Sequence, residues 1–335
     1  MTASPSQKLL SPEEIAVRAG EQLSFLHLPE PGVFAERALR LRALAEGHAM
    51  RDFLLFVAEL ADAQHRALSA GVNLPLPTPD DVEAAARAGL PLLPADGPAP
   101  WPRAAVWRDA LRGLLADLAR HVAPGPAQET ARQLAAASDE HLETQAGRLL
   151  SGVMLGLDLA AAPLIAAGLQ LHWVRLVQQA AKAHAQGPIA PFGRTDDPTL
   201  CPCCGSRPVA SVERLGGEGA RYLACGLCAA QWHYVRVKCT HCQGTKGISL
   251  QSLVAQDEAV ANTQPAVQAE CCGECGHYLK LMHPARDNGL EPVADDLATV
   301  TLDLLVSESG LQRHGVNLLL LFGEPDEAPP PGREH

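Results

Sequence analysis

A chain of 335 residues is too long for a single ordinary hydrophobic core, so its length predicts two domains. Its formal net charge of −11 argues against a broad nucleic-acid surface, which needs clustered lysine and arginine. Aromatic residues make up only 4% of the chain, which favours helices over a large β-sandwich. No apolar run reaches the roughly 18–20 residues of a membrane span, and residues 1–8 lack the features of a secretory signal. We therefore expect a cytoplasmic protein without a membrane span.

The first part of the chain, residues 1–193, is predicted to be all-helical. A capping-box pattern at 11–14 indicates the start of a first helix. Apolar residues at helical spacing predict a second helical stretch over 34–70, with a break at Gly47. A short helix is then expected over 78–89, because a threonine–proline start and a glycine stop enclose it.

Three longer helices complete this predicted bundle. The first begins at Trp101 and ends near His121, and the others cover roughly 127–151 and 153–185. Pro163 is expected to break or kink the last of them, because proline removes a helical hydrogen bond. The histidines and tryptophans scattered through these segments are interpreted as ordinary core or surface residues.

The sequence pattern changes after a linker rich in glycine, proline and aspartate at 187–199. β-branched and aromatic residues now lie between cysteines and predict short antiparallel strands. These strands are expected at 208–212, 220–223 and 232–237, with a glycine-rich hairpin turn at 216–219. A last helix is predicted over 295–309, ended by Gly310.

These patterns divide the chain into a helical domain over 1–193, a metal-ribbon domain with a C-terminal helix over 194–323, and a proline-rich disordered tail over 324–335. The predicted fold class is α+β. An all-α bundle is followed by two tandem four-cysteine β modules of the zinc-ribbon type and then by a C-terminal helix.

Ten cysteines lie within 201–275, and eight of them form four Cys-x-x-Cys pairs. In a cytosolic chain of this size, such paired spacing indicates metal ligands rather than disulfides. Each pair turns two sulfurs towards one ion, and two pairs complete a tetrahedron. Sequential pairing predicts two metal sites: Cys201, Cys204, Cys225 and Cys228 in the first, and Cys239, Cys242, Cys272 and Cys275 in the second. An interleaved, cross-braced pairing stays open.

Two cysteines are left over, Cys203 and Cys271, and each is adjacent to a predicted ligand. Both are interpreted as small filler residues. Cys271 could replace Cys272 as a ligand, but the two-residue spacing to Cys275 favours Cys272.

Four thiolates close each predicted site and leave no coordination position for water, which argues against metal-dependent hydrolysis. His233, His241 and His277 lie near the cysteines and are interpreted as bystanders for the same reason. Tetrahedral sulfur ligation suits both zinc and iron, with structural zinc the default.

The segments around the cysteines resemble the formate dehydrogenase accessory protein FdhE family. The matching segments are CPCCGS at 201–206, PVAS at 208–211, RYL at 221–223, WHYVRVKC at 232–239, CGEC at 272–275, YLK at 278–280 and ADDLA at 294–298. The resemblance extends over about 191–322, and the helical part is compatible with it but has no motif as specific.

The resemblance implies an assembly factor rather than an enzyme, with no catalytic residues. It implies a chaperone for the catalytic subunit of respiratory formate dehydrogenases, which contains molybdenum or tungsten and is of the selenocysteine or cysteine type. It also implies rubredoxin-like iron sites, two irons per chain, with zinc as the alternative. The chain departs from the family pattern at Cys203 and Cys271, where the family more often has valine and serine. A homodimer is compatible with this reading.

Three roles follow for the ribbons. They can form a rigid docking platform on which Arg221, Arg236 and Lys238 steer an acidic partner surface. They can exchange electrons or handle sulfur, which requires a partly exposed cysteine pair. A nucleic-acid-binding ribbon is the third role, and the acidic charge disfavours it.

Asp295 and Asp296 are expected to complement a helix dipole, whereas the resemblance suggests a partner contact or a fold-stapling role.

Overall fold

The computed structural model describes residues 24–214, 220–253 and 264–321. The helix start predicted at 11–14, the turn at 216–219 and the tail at 324–335 lie outside these residues. Within them, nine helices and an eight-stranded sheet form the α+β fold that was predicted. The domain boundary at 193/194 stays a prediction.

Seven of these described helices form the N-terminal part. They are α1 (Val33–Ala45), α2 (Arg51–Ser69), α3 (Pro79–Ala88), α4 (Val106–His121), α5 (Pro126–Ala135), α6 (Asp139–Leu150) and α7 (Ala162–Ala183). Helix α7 is buried over most of its circumference, and α2, α4 and α6 pack against it. A helix that is apolar nearly all round is expected at the centre of a bundle.

The predicted ends of the early helices are confirmed where capping residues marked them. The Thr78 side chain accepts a hydrogen bond from the Asp81 backbone, and the Asp81 carboxylate accepts one from the Thr78 N–H. This reciprocal capping box fixes the start of α3. Gly89 ends it with a left-handed φ of 63°, and Gly47, with φ of 69°, lies in the break between α1 and α2.

Three helix boundaries differ from the prediction. Helix α4 begins only at Val106. The helix predicted over 127–151 is two helices, because the Ser138 hydroxyl accepts a hydrogen bond from the His141 N–H and begins α6 there. Pro163 lies in the first turn of α7 and starts that helix instead of kinking it.

The two predicted ribbons share one continuous sheet. Its strands are β1 (Leu26–His27), β2 (Pro208–Arg214), β3 (Ala220–Cys225), β4 (Gln231–Tyr234), β5 (Ile248–Gln251), β6 (Val267–Cys272), β7 (His277–Met282) and β8 (Gln312–Arg313). The order is β1-β4-β3-β2-β7-β6-β5, with β8 also beside β7. Strands β2 to β4 form one antiparallel ribbon and β5 to β7 the other. Parallel pairing of Ser211 with Leu281 joins them.

Residues that precede α1 also belong to this sheet. Strand β1 pairs antiparallel with β4, with Leu26 opposite Trp232. The Tyr222 hydroxyl donates a hydrogen bond to the Ser24 carbonyl at 2.7 Å. The beginning of the described chain is therefore fixed by residues about two hundred positions later.

The predicted last helix is two helices, α8 (Pro292–Ala298) and α9 (Val300–Glu308). Helix α8 packs on α1 through ion pairs. Arg37 contacts Glu291 at 3.0 Å, and Arg40 contacts Asp295 at 2.6 Å. Asp295 is only 2% exposed, so it links two helices across the core in addition to lying in a first helical turn.

A second buried ionic cluster lies between β7, β8 and the last helices. The Lys280 side chain is 0% exposed and its Nζ lies 3.2 Å from an oxygen of Asp296. It also contacts Asp303, and Arg313 contacts Asp296 at 2.6 Å. We call these four residues the lysine cluster. Asp296 therefore has a fold-stapling role, because it anchors α8 to the second ribbon.

Across 24–214, 220–253 and 264–321, no helix combines the length and the apolar character needed to cross a membrane.

His172 on α7 makes stability depend on pH. Burial, with help from Arg175 and Arg103, lowers the pKa of His172 to about 4. The unfolded chain binds this proton near pH 6.5 and the native state does not, so stability falls as pH drops from about 6.5 towards 4. We expect wild-type protein to lose about 2 kcal/mol more than His172→Gln between pH 7 and pH 5. Urea unfolding at each pH measures this difference, and the exposed control His141→Gln should follow the wild type.

Candidate metal centres

Turns in the two ribbons bring the eight paired cysteines together in the sequential sets. Cys201, Cys204, Cys225 and Cys228 form the first cluster, and Cys239, Cys242, Cys272 and Cys275 form the second cluster. In each cluster the four sulfurs lie within 4.8 Å of one another. The interleaved arrangement is not the one found. That these residues ligate metal stays a prediction.

The sulfur–sulfur distances fit a tetrahedral ion. In the first cluster Cys201 and Cys228 are 3.5 Å apart, and Cys204 and Cys225 are 3.4 Å apart. In the second cluster the sulfurs of Cys239 and Cys275 are 3.7 Å apart, and those of Cys242 and Cys272 are 3.8 Å apart. Metal–sulfur bonds of about 2.3 Å place the corners of a tetrahedron about 3.8 Å apart. The donor set therefore fits zinc or iron.

The same backbone turn recurs at all four cysteine pairs. The residue four positions after the first cysteine has a positive φ: 71° at Gly205, 59° at Ala229, 59° at Gln243 and 70° at Gly276. Glycine suits this conformation at two of the turns, as predicted. Alanine and glutamine hold it at the other two at a cost in strain. Because the same backbone conformation recurs at all four turns, the four cysteine pairs are expected to serve the same purpose.

Backbone N–H groups point at the sulfurs. The N–H groups of Leu227 and Cys228 donate to the Cys225 sulfur, both at 3.4 Å. In the second cluster the His241 N–H donates to the Cys239 sulfur at 3.4 Å. Such donors stabilise a thiolate over a thiol.

Burial sets the protonation of the first cluster. It raises the pKa of Cys225 and of Cys228 well above the usual thiol value. Burial also opposes ionisation of Cys201, but hydrogen bonds from neighbouring cysteine thiols lower its pKa well below the usual value. The pKa values of these three thiols are thus shifted in opposite directions, and a bound cation would displace the protons that remain.

The two clusters differ in accessibility. All four cysteines of the first are buried, and Leu93 and Ala95 of the helical part donate backbone hydrogen bonds to its first turn, both at 2.9 Å. In the second cluster Cys242 is exposed and Cys275 is half-buried. The first cluster is therefore part of the common core, whereas solvent reaches the second.

The two remaining cysteines lie outside both sulfur sets. Cys203 is buried beside the first cluster, and burial raises its pKa well above the usual value. Cys271 on β6 is buried as well, and its thiol contacts the Ala269 carbonyl at 3.6 Å. The structure places Cys272, not Cys271, within the second cluster.

The three predicted partner-binding cations have different surroundings. Arg221 is 1% exposed, contacts Glu270 at 2.7 Å and donates to the Ser211 hydroxyl. The prediction that Arg221 steers a partner is therefore wrong, because its side chain links the two ribbons inside the sheet. Arg236 is exposed, with its guanidinium 3.7 Å from Glu213, and half-buried Lys238 donates to the Gln243 side chain at 2.9 Å.

Three histidines gather beside the second cluster, although the sequence placed them far apart. The rings of His241 and His277 are stacked, with centroids 3.7 Å apart and planes 8° apart. His314 meets His241 edge to face at 5.2 Å. Burial and the nearby Arg207 lower the pKa of His314 to about 3. A pattern could have revealed two of them, since His241 and His277 each lie two residues after a cluster cysteine.

A helical region joined to two four-cysteine ribbons that share one sheet defines an α+β protein with paired candidate metal centres. The chain belongs to the FdhE family. Residues 23–188 match the FdhE N-terminal family, 200–236 the FdhE central domain and 237–320 the FdhE C-terminal domain. The central and C-terminal matches meet between β4 and Cys239, so the central match contains the first ribbon and the C-terminal match contains the second.

Relatives align with nearly the whole chain. A protein FdhE homolog of Edwardsiella ictaluri is 39% identical over 296 residues, covering 87% of this chain and 89% of the relative. One from Serratia proteamaculans is 36% identical over 321 residues, covering 95% and 98%. The crystal structure of the FdhE protein from Pseudomonas aeruginosa is similar with a TM-score of 0.74 and 33% identity, covering 89% of this chain and 99% of that one.

Proposed function

We propose that the protein is a cytoplasmic accessory factor that binds the catalytic subunit of a respiratory formate dehydrogenase and is needed for its maturation. Membership of the FdhE family through all three segments of the chain carries this proposal. No catalytic role is assigned to any residue, and closed four-thiolate sites give a substrate no open metal position.

Each four-cysteine cluster is proposed to hold one iron ion, with zinc as the alternative. The sulfur spacing and the N–H donors support a tetrathiolate site, and both metals accept that geometry. Metal content and the visible spectrum of aerobically purified protein distinguish the two. A red ferric–tetrathiolate spectrum with two irons per chain supports iron, and a colourless protein with two zinc ions contradicts it.

The partner is proposed to dock on the segment between β4 and the second cluster. Val235 and Val237 are 56% and 55% exposed and enclose the exposed Arg236. Apolar side chains around a cation are typical of a surface that both buries area and steers an acidic partner. This part of the chain also lies next to the accessible cluster.

A binding experiment with purified catalytic subunit tests the function. Wild-type protein should bind that subunit and restore formate dehydrogenase activity in cells that lack the gene. Val235→Asp/Val237→Asp should weaken binding at least about tenfold, which corresponds to the roughly 1.4 kcal/mol of a modest interface loss. The control Leu155→Asp changes a residue that is 50% exposed elsewhere and should bind normally. Absence of binding, together with full enzyme activity without the gene, would overturn the proposal.

A redox role is a second candidate for the second cluster only. Its exposed Cys242 and half-buried Cys275 provide the access that electron exchange requires, whereas the first cluster has none. A reversible one-electron wave that disappears in folded Cys242→Ser protein, together with loss of enzyme activation, supports this role.

A further inference from the structure

The histidines beside the second cluster come from three separate elements. His241 lies inside the turn between Cys239 and Cys242, His277 begins β7, and His314 follows β8 directly. The sheet brings the three rings together, with His241 and His277 beside Cys275, a half-buried cysteine of the cluster. Such convergence beside thiolates is not required for the fold of a ribbon.

Two of these imidazoles share a donor set with a cluster cysteine. One ring nitrogen of His241, one of His277 and the sulfur of Cys275 all lie within 4.8 Å of one another. Metal–ligand bonds of about 2.0–2.3 Å place the donors of a tetrahedral ion roughly 3.3–3.8 Å apart, which lies within this limit. His241 is exposed, so a cation in solution can reach the donor set.

His277 makes the kind of hydrogen bond that metal-binding histidines commonly make. Its Nδ1 lies 2.9 Å from the backbone carbonyl of Cys275. Ligating histidines commonly donate one ring N–H to a carbonyl, which fixes the tautomer and leaves the other nitrogen as the ligand.

His314 gives an independent indication of a ligand. It is 6% exposed, and among the described residues neither of its ring nitrogens has a hydrogen-bond partner. Buried polar atoms are normally paired, and an unpaired one calls for an explanation such as a bound ion or water. Here the unpaired imidazole faces the stacked pair at 5.2 Å from His241.

We propose that His241, His277 and Cys275 form a third metal site that captures a first-row divalent cation at the surface and transfers it to the second cluster. Imidazole and thiolate together suit such cations. Cys275 belongs to both donor sets, so it keeps its bond while the thiols of Cys239, Cys242 and Cys272 replace the two imidazoles and the water that completes the cation's four ligands. Each incoming thiol releases its proton to water, and no electron is transferred. The proposal rests on metal binding by the second cluster.

The rate of metal loading tests this inference, with cobalt(II) as the probe. Full-length protein whose first cluster holds zinc and whose second cluster has been emptied by a chelator is mixed with limiting cobalt, and thiolate–cobalt absorbance is followed by stopped flow. We expect His241→Ala/His277→Ala to load the second cluster at least about tenfold more slowly and to reach the same final absorbance. The exposed control His141→Ala should load at the wild-type rate. The single variant His241→Ala, at an exposed position, repeats the test with less risk to the fold.

An equilibrium measurement completes the test. With the first cluster filled by zinc, folded Cys242→Ser protein, whose second cluster no longer holds metal, should bind one cobalt ion with d–d bands of mixed nitrogen and sulfur ligation, and the same variant with His241→Ala/His277→Ala should not. Equal loading rates with full final absorbance would overturn the capture site and leave the proposed function standing. Absence of thiolate–cobalt absorbance from the second cluster in wild-type protein would overturn both the capture site and the proposed metal binding by that cluster.

Discussion

Cys204→Ser should unfold the first ribbon, whereas Cys242→Ser should leave a folded protein that has lost metal only from the second cluster. The first cluster is buried within the common hydrophobic core, so a lost ligand leaves unpaired thiols where solvent cannot reach them. Structural metal binding contributes roughly 10–16 kcal/mol to small zinc domains, and that contribution is part of their folding free energy. At the exposed Cys242, water can replace the missing ligand.

Circular dichroism and metal analysis on the two serine variants measure this contrast. A chelator should likewise remove the metal of the second cluster first, in a phase that leaves the helical signal unchanged. Similar unfolding of both variants, or release of both metals in one phase, would contradict the assignment of a structural first cluster and a labile second cluster.

Lys280→Met should destabilise the protein by about 3–5 kcal/mol, because it leaves the carboxylates of Asp296 and Asp303 buried with one fewer cation. Their side chains are 1% and 6% exposed, so water cannot take the place of the lysine. Arg313 contacts both carboxylates and would become their remaining basic partner in the lysine cluster.

The matched control is Lys238→Met, which removes a half-buried lysine whose hydrogen-bond partner is exposed. Its effect on the free energy of unfolding should stay within about 0.5 kcal/mol. Urea unfolding of both variants gives the comparison. A loss of less than about 1 kcal/mol for Lys280→Met would mean that the lysine cluster contributes no more than a surface ion pair.

Local signals in the sequence predicted those features that depend on local chemistry. Thr78 and Gly89 marked the two ends of α3, and the two-residue spacing of cysteines indicated all four turns that gather the paired sulfurs. The FdhE resemblance, carried by those turns and their flanks, is confirmed by family matches over 23–188 and 200–320.

Features that depend on distant pairing could not be predicted in this way. Strand β1 is two residues long and exists only because β4 offers an edge. Arg221 was expected on the surface of a hairpin, because no residue near it in sequence indicates that its side chain forms an ion pair with Glu270 of the other ribbon. His241 and His277 were interpreted as bystanders because four thiolates already close each site, and their proximity to each other arises only in the sheet. His314 is far in sequence from every cysteine pair.

The ion pairs between α1 and α8 bear on how the chain folds during synthesis. Arg37 and Glu291 are 254 positions apart, so a ribosome releases the arginine long before its buried partner exists. Both cysteine clusters are translated between these two moments. The buried face of α1 can therefore be covered only after residue 291 has been synthesised, and until then it stays accessible to chaperones and proteases.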